Sequence, residues 1–264
     1  MKKSILLLFL FAFIFIHSNA QVEVGVFGIG QSTIMTSNYT TEHVIQNKAT
    51  FSSSVGTQVT YYTKSGFGFG LGLMYSHPNQ KFDAIDPVTG DNWYSGKKRL
   101  QYLKVSALLH YRVVYSDRLN FFFYGGPQVA FLIKEAGGFP VYQTYPGNEY
   151  FWFDLIPEHH NNYLNKVTME AALGWGMEYK LNRNFGIQGG VRLDYGLSQI
   201  ENKNTFNTEV YNKMNLKSQL TGSKNIAFGI TYGVIFHFGS TSLISPSQKF
   251  GNKRHRPNFR KRRY

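Results

Sequence analysis

The chain has 264 residues, a net charge of +13, 17% aromatic residues and no cysteine. Without cysteine it can carry no disulfide, no thiolate metal site and no lipid-modified N-terminal cysteine. Past the opening segment no apolar run reaches the eighteen or so residues of a transmembrane helix, so any membrane crossing falls to strands.

The first segment places Lys2 and Lys3 before an apolar run from Ile5 to Ile16, followed by His17, Ser18, Asn19 and Ala20. That is the order of a secretory signal, with cleavage expected before Gln21. The apolar run is too short to span a bilayer. From Gln21 onward eight strands are expected. The first, Val22 to Thr33, is glycine-rich. The second, Phe51 to Tyr62, alternates Phe51, Val55, Val59 and Tyr61 with smaller polar residues and ends on the turn Thr63 to Gly66. In the third, Phe67 to Tyr75, Phe67, Phe69, Leu71, Leu73 and Tyr75 alternate with Gly68, Gly70, Gly72 and Met74. Large side chains on one face and small ones on the other suit a narrow barrel, whose interior must be filled without crowding.

His77 to Arg99, with Pro78, Pro87, Gly90 and Gly96, is expected to be a long loop. The fourth strand, Leu100 to Tyr115, sets Leu103, Val105, Ala107, Leu109, Tyr111 and Val113 against Lys104, Ser106, His110 and Arg112. The fifth, Leu119 to Ile133, contains Pro127, which predicts a bulge or bend near the rim. A second long loop, Lys134 to Asn165, carries an aromatic stretch from Tyr142 to Phe153 and the pair His159-His160. The sixth strand, Val167 to Leu181, and the seventh, Phe185 to Leu197, place Glu170, Glu178, Arg192 and Asp194 on the face opposite their apolar residues. A further loop leads to the closing strand, Asn225 to Phe238. Its apolar residues from Ile226 to Phe238 recur at every second position, with Ile235 as the exception.

Connections after the second, fourth and sixth strands are short, and those after the first, third, fifth and seventh are long. That alternation marks an outer-membrane barrel with short periplasmic turns and long extracellular loops. The expected fold is therefore all-β: an eight-stranded antiparallel transmembrane β-barrel over 21–239, after a cleaved signal at 1–20 and before a short disordered basic tail at 240–264.

Residues of strands four to seven resemble the PorT-like outer-membrane β-barrel domain family of Bacteroidetes. The resemblance is carried by Leu100-Gln101-Tyr102-Leu103, Leu108-Leu109-His110-Tyr111-Arg112 and Phe123-Tyr124-Gly125-Gly126-Pro127. It continues in Gly174-Trp175-Gly176-Met177-Glu178-Tyr179 and Arg192-Leu193-Asp194-Tyr195-Gly196-Leu197. The chain departs from that pattern at Lys104-Val105-Ser106, where the family has a proline-bearing segment. The resemblance implies a porin-family barrel, and some relatives serve type IX secretion.

An eight-stranded barrel is about filled by its own side chains, so the inward charges Lys104, Arg112, Glu170, Glu178, Arg192 and Asp194 are expected to form a buried ion network in a plugged lumen. Ser106 and His110 share a face but lie roughly 13 Å apart along the strand, too far for a nucleophile and its base. No catalytic residue, cofactor or metal site is expected, and His159-His160 reads as a solvated pair.

The excess charge is concentrated in the tail. Lys249, Lys253, Arg254, Arg256, Arg260, Lys261, Arg262 and Arg263 occur there without one acid. Residues 21–239 hold eighteen basic residues against fifteen acidic ones. A cytosolic tail of this kind would suggest nucleic acid, a partner that periplasmic placement removes. The partner expected instead is an acidic periplasmic or outer-membrane protein, or anionic lipid. The functional expectation is a non-enzymatic scaffold or accessory subunit of an envelope or type IX-like secretion assembly. A narrow porin-like channel and a lipid-modifying enzyme are the alternatives.

Overall fold

A computed structural model describes residues 21–36, 45–85, 90–136, 140–144, 151–155, 164–200 and 223–238. The expected signal segment, the eight basic tail residues from Lys249 to Arg263, and His159-His160 lie outside the described residues. So do the side chains of the aromatic loop stretch. Twelve strands are described: β1 Gln21–Thr36, β2 Ile45–Lys48, β3 Thr50–Tyr62, β4 Phe67–His77, β5 Asn79–Ile85, β6 Asn92–Val114, β7 Leu119–Ala136, β8 Pro140–Thr144, β9 Phe151–Leu155, β10 Val167–Lys180, β11 Phe185–Gly196 and β12 Lys224–Phe238.

Eight of these form a closed antiparallel ring in the order β1-β3-β4-β6-β7-β10-β11-β12, with β12 returning to β1. The closing seam runs from Val22↔Phe238 to Thr36↔Lys224. In hydrocarbon no water can pair with a free N–H or C=O, so a spanning sheet must have no edge, and this seam removes the last one. The expected eight-stranded barrel is thus the observed fold.

The period of two in the sequence separates lipid from lumen. Phe51, Leu109 and Ile230 are 74%, 70% and 65% exposed on the outer face, which only a lipid solvent makes tolerable for large apolar groups. At the short-turn end the outer face carries the ring pairs Phe67–Tyr111 and Phe185–Phe236, with centroids 4.8 and 5.2 Å apart, as an interfacial aromatic girdle. Inside, large groups are placed over small ones. The Tyr124 ring covers Gly174, where an added Cβ would lie 2.3 Å from it. Ile235, out of step by composition, is in step by position: it points inward and is buried.

The short turns join β3 to β4, β6 to β7 and β10 to β11. In the first, Thr63 N–H donates to Phe67 O at 2.7 Å, and Gly66 takes φ +90° while its carbonyl accepts from Arg112 N–H at 2.8 Å. A Cβ at Gly66 would sit 2.5 Å from Arg112 O, so only glycine fits.

Two expectations are corrected. His77 to Arg99 is not a loop: β5 and the upper part of β6 pair from Asn79↔Arg99 upward, and β2 adds to β5. Similarly, β8 and β9 form a hairpin inside the second long connection. The extension formed by β2, β5 and the upper part of β6 lies beyond the apolar band, where no lipid imposes an alternating pattern, so its sequence resembles a loop. Pro127 does not bend the rim. Toward β10 it pairs in register with Ala171, and toward β6 the ladder steps from Ser106↔Gln128 to Leu109↔Gly125. The missing donor falls in that mid-strand gap, while the register shift occurs higher, at Gln101/Tyr102. The gap is not an opening, since a Cβ on Gly126 would stand 2.2 Å from Ala107 O.

The lipid face is directly testable. Ile230→Arg, on the middle of β12, should cost about 2–4 kcal/mol in urea unfolding from lipid vesicles.

Candidate functional site

Alternation places one charged or amide side chain after another inside the ring, and the strand registers sort them into two levels. Arg112, Glu178, Glu23 and His237 each lie within two residues of the short-turn end of their strands. Lys104 and Glu170 lie eight residues higher on β6 and β10, roughly 26 Å along each strand.

At the upper level five side chains close a ring. Lys104 Nζ donates to Glu170 Oε2 at 2.6 Å, and Gln128 Nε2 donates to the same oxygen at 2.6 Å. Arg192 donates through an Nη to Gln128 Oε1 at 2.6 Å and through Nε to Asp194 Oδ1 at 2.8 Å. Asp194 Oδ2 completes the circuit 3.5 Å from Lys104 Nζ. Two cations face two anions, and all five residues are buried. A buried charge is tolerable only when paired and hydrogen-bonded, and each of the four charges meets that condition.

At the lower level Arg112 spans the lumen. Its guanidinium binds both oxygens of Glu23 in fork geometry and lies 3.3 Å from Glu178 Oε2. Its Cζ stacks 3.9 Å from the centroid of the Tyr62 ring. Asn120 Nδ2 donates to Glu178 Oε2 at 3.1 Å, and Gln21 Nε2 donates to Glu23 Oε1 at 2.8 Å. His237 stands between the carboxylates, with Nδ1 2.7 Å from Glu23 Oε1 and Nε2 2.8 Å from Glu178 Oε1. The same Nδ1 lies 2.8 Å from Gln21 Nε2. Arg112, Glu23, Glu178 and His237 make up this lower quartet.

The second lumen histidine meets an amide and a hydroxyl. His110 Nε2 lies 2.8 Å from the Gln58 amide nitrogen, a donor, and Nδ1 lies 3.2 Å from the Tyr62 hydroxyl. Between the two levels is a cavity of about 40 Å³, room for a few water molecules, lined by residues that include Gln58, His110, Tyr124 and Gln188.

All six residues expected in the lumen network are there. The structure assigns Lys104, Glu170, Arg192 and Asp194 to one level and Arg112 and Glu178 to the other. Sequence reasoning missed Glu23, Gln128, Asn120 and the role of His237. Alternation alone could have placed Glu23 and His237 inside, because both occupy inward positions of their strands. Glu23, Glu178 and His237 also present ligand atoms within 4.8 Å of one another, a set that could hold a divalent cation. Arg112 already binds both carboxylates, so a metal would have to displace a guanidinium.

Comparison with known proteins now bears on identity. The model of the outer-membrane protein β-barrel domain matches residues 16–202. The chain belongs to this family. It is an outer-membrane β-barrel protein, and the outer membrane is where it resides. No curated protein sequence matches it. Solved structures similar to it include OprG from Pseudomonas aeruginosa, at 13% identity and TM-score 0.44, covering 84% of this chain and 97% of that one. Neisserial surface protein A follows at 10% identity and TM-score 0.41, covering 84% and 98%. A major outer-membrane protein from Thermus thermophilus stands at 15% and 0.42, covering 83% and 99%. Family membership rests on the domain match.

Two outcomes check the lower quartet. Arg112→Met leaves two buried carboxylates without their guanidinium and should cost about 3–5 kcal/mol in urea unfolding, part of which Glu23→Gln in the same chain restores. His237→Ala removes the imidazole that stands between the two carboxylates, and the variant should unfold at a lower urea concentration than the wild type.

Proposed function

We propose that this outer-membrane barrel is a non-conducting, non-enzymatic scaffold or accessory subunit of an envelope assembly, of the type IX-like secretion class. In this reading the signal is cleaved before Gln21. The long-loop end faces outward, and the short turns and basic tail face the periplasm. One observation carries the proposal: the lumen is crossed at two levels by side-chain networks that satisfy their charges internally. Opening a path through it would mean breaking buried ion pairs at both levels, each costly to separate. A barrel so filled offers a solute no route, and its useful surfaces are its two ends. The PorT-like residues of β6, β7, β10 and β11 support a secretion role. The tail, with eight basic residues and no acid after Phe238, supplies the docking arm toward an acidic periplasmic protein or anionic lipid.

The test is made on the purified full-length protein and in cells. Wild-type protein reconstituted in planar bilayers should give no stepwise conductance, whereas a stable open level would favour the narrow channel instead. Deleting residues 245–264 should leave the barrel inserted in the outer membrane while its co-purifying envelope proteins are lost. Unchanged partners would remove the tail from the proposal.

A further inference from the structure

The strands that rise above the apolar band carry a row of basic residues across neighbouring strands. Lys48 of β2 is the direct partner of Lys81 of β5, and Lys81 is the direct partner of Lys97 of β6. Directly paired residues point to the same side, and here that side is outward: all three are exposed, whereas the neighbouring positions turn inward, with Gln80 opposite Lys98 below the row and Phe82 between Asn47 and Gly96 above it. Two residues nearer the membrane on β6 the outward position is Arg99, exposed as well. The next, Gln101, pairs with exposed Lys134 of β7. Below these the outer face turns apolar at once, with Ile133 and Phe131 on β7 and Val105 on β6 all exposed. Tyr75 marks the boundary, its hydroxyl donating to Gln101 Oε1 at 3.0 Å.

Like charges directly opposite one another destabilise a sheet. One acid lies among these residues on the same face, Asp83, and it is already engaged. Its carboxylate binds Lys48 and accepts from the Ser95 hydroxyl at 2.8 Å, and these bonds hold it below the ordinary carboxylate range. Glu135 faces inward, 2.9 Å from Lys98. Lys134 beside the boundary residue Gln101, Arg99 two residues above it, and Lys97 with its partner Lys81 four residues above it therefore form a cationic surface that climbs from the edge of the hydrocarbon band. Ammonium and guanidinium groups placed there match the phosphates of a lipid whose acyl chains pack against the apolar band below.

We infer that the outward basic row Lys81–Lys97–Arg99–Lys134 binds the phosphate groups of the outer-leaflet glycolipid. The inference rests on the outward orientation of the long-loop end proposed above. It does not depend on the scaffold role or on the tail.

The experiment uses full-length protein in phosphatidylcholine nanodiscs doped with bisphosphorylated lipid A or with lipid A stripped of its phosphates. Retention is read by native mass spectrometry. Wild type should retain the bisphosphorylated form at least tenfold better than the variant K81Q/K97Q/R99Q/K134Q, and that preference should weaken with added salt. The dephosphorylated form should be held equally by both proteins. The variant K64Q/R183Q, which removes exposed charges at the short-turn end, should behave as wild type. Equal retention by wild type and the quadruple variant would overturn the inference, as would an equal loss in K64Q/R183Q. Tight binding of soluble dextran sulfate without lipid A retention would overturn it in favour of a soluble polyanion. Because the chain lacks cysteine, orientation is read separately. An impermeant maleimide should label Asp91→Cys but not Lys64→Cys on intact cells, and the reverse pattern would remove the outer-leaflet ligand even if lipid A binds in nanodiscs.

Discussion

Everything in this molecule follows from the closure of its backbone ladder. A sheet in hydrocarbon cannot leave a row of N–H and C=O groups unpaired, so β12 must find β1 along the whole run from Val22↔Phe238 to Thr36↔Lys224. Once the ring is closed at eight strands, its inner face surrounds a space too narrow to stay empty and too enclosed for charges to remain solvated. The filling of that space by Tyr124 over Gly174, and the pairing of its charges, are consequences of closure.

The two polar levels also connect strands that the ladder does not join directly. Arg112 on β6 reaches Glu23 on β1 and Glu178 on β10, while His237 lies beside Glu23 at the closing seam itself. The upper ring joins β6, β7, β10 and β11 in the same manner. Backbone pairing fixes neighbours around the wall, and the side-chain networks brace across the lumen. A lumen braced in this way is suited to being a rigid body in a membrane.

Sequence reasoning succeeded where lipid imposed a rule and failed where it did not. The barrel strands were legible from alternation, with their ends displaced by a few residues. The largest error, treating His77 to Arg99 as a loop, fell on strands that rise beyond the bilayer. There Asn79–Ile85 has no apolar face to advertise it, and Pro78 and Gly96 read as breakers. Pro127 was recognised as a misfit but assigned to the rim, because a missing donor can also be absorbed by a local gap in one ladder while the other stays in register.

By itself the sequence determined the fold class, the inward or outward direction of most barrel side chains and the membership of six charged residues in the lumen. Those properties follow from a period of two and from the cost of exposing polar groups to lipid. It did not determine which of those residues meet. Lys104 and Arg112 lie on the same inward stripe of β6, yet one joins a ring with Glu170 and Asp194 and the other a quartet with Glu23, Glu178 and His237. That choice depends on the register of each strand against the next, summed around the ring, and only the tertiary structure decides it. The row of Lys48, Lys81 and Lys97 is the same case at the outer surface. Three lysines dispersed over fifty residues of chain become neighbours only when β2, β5 and β6 pair.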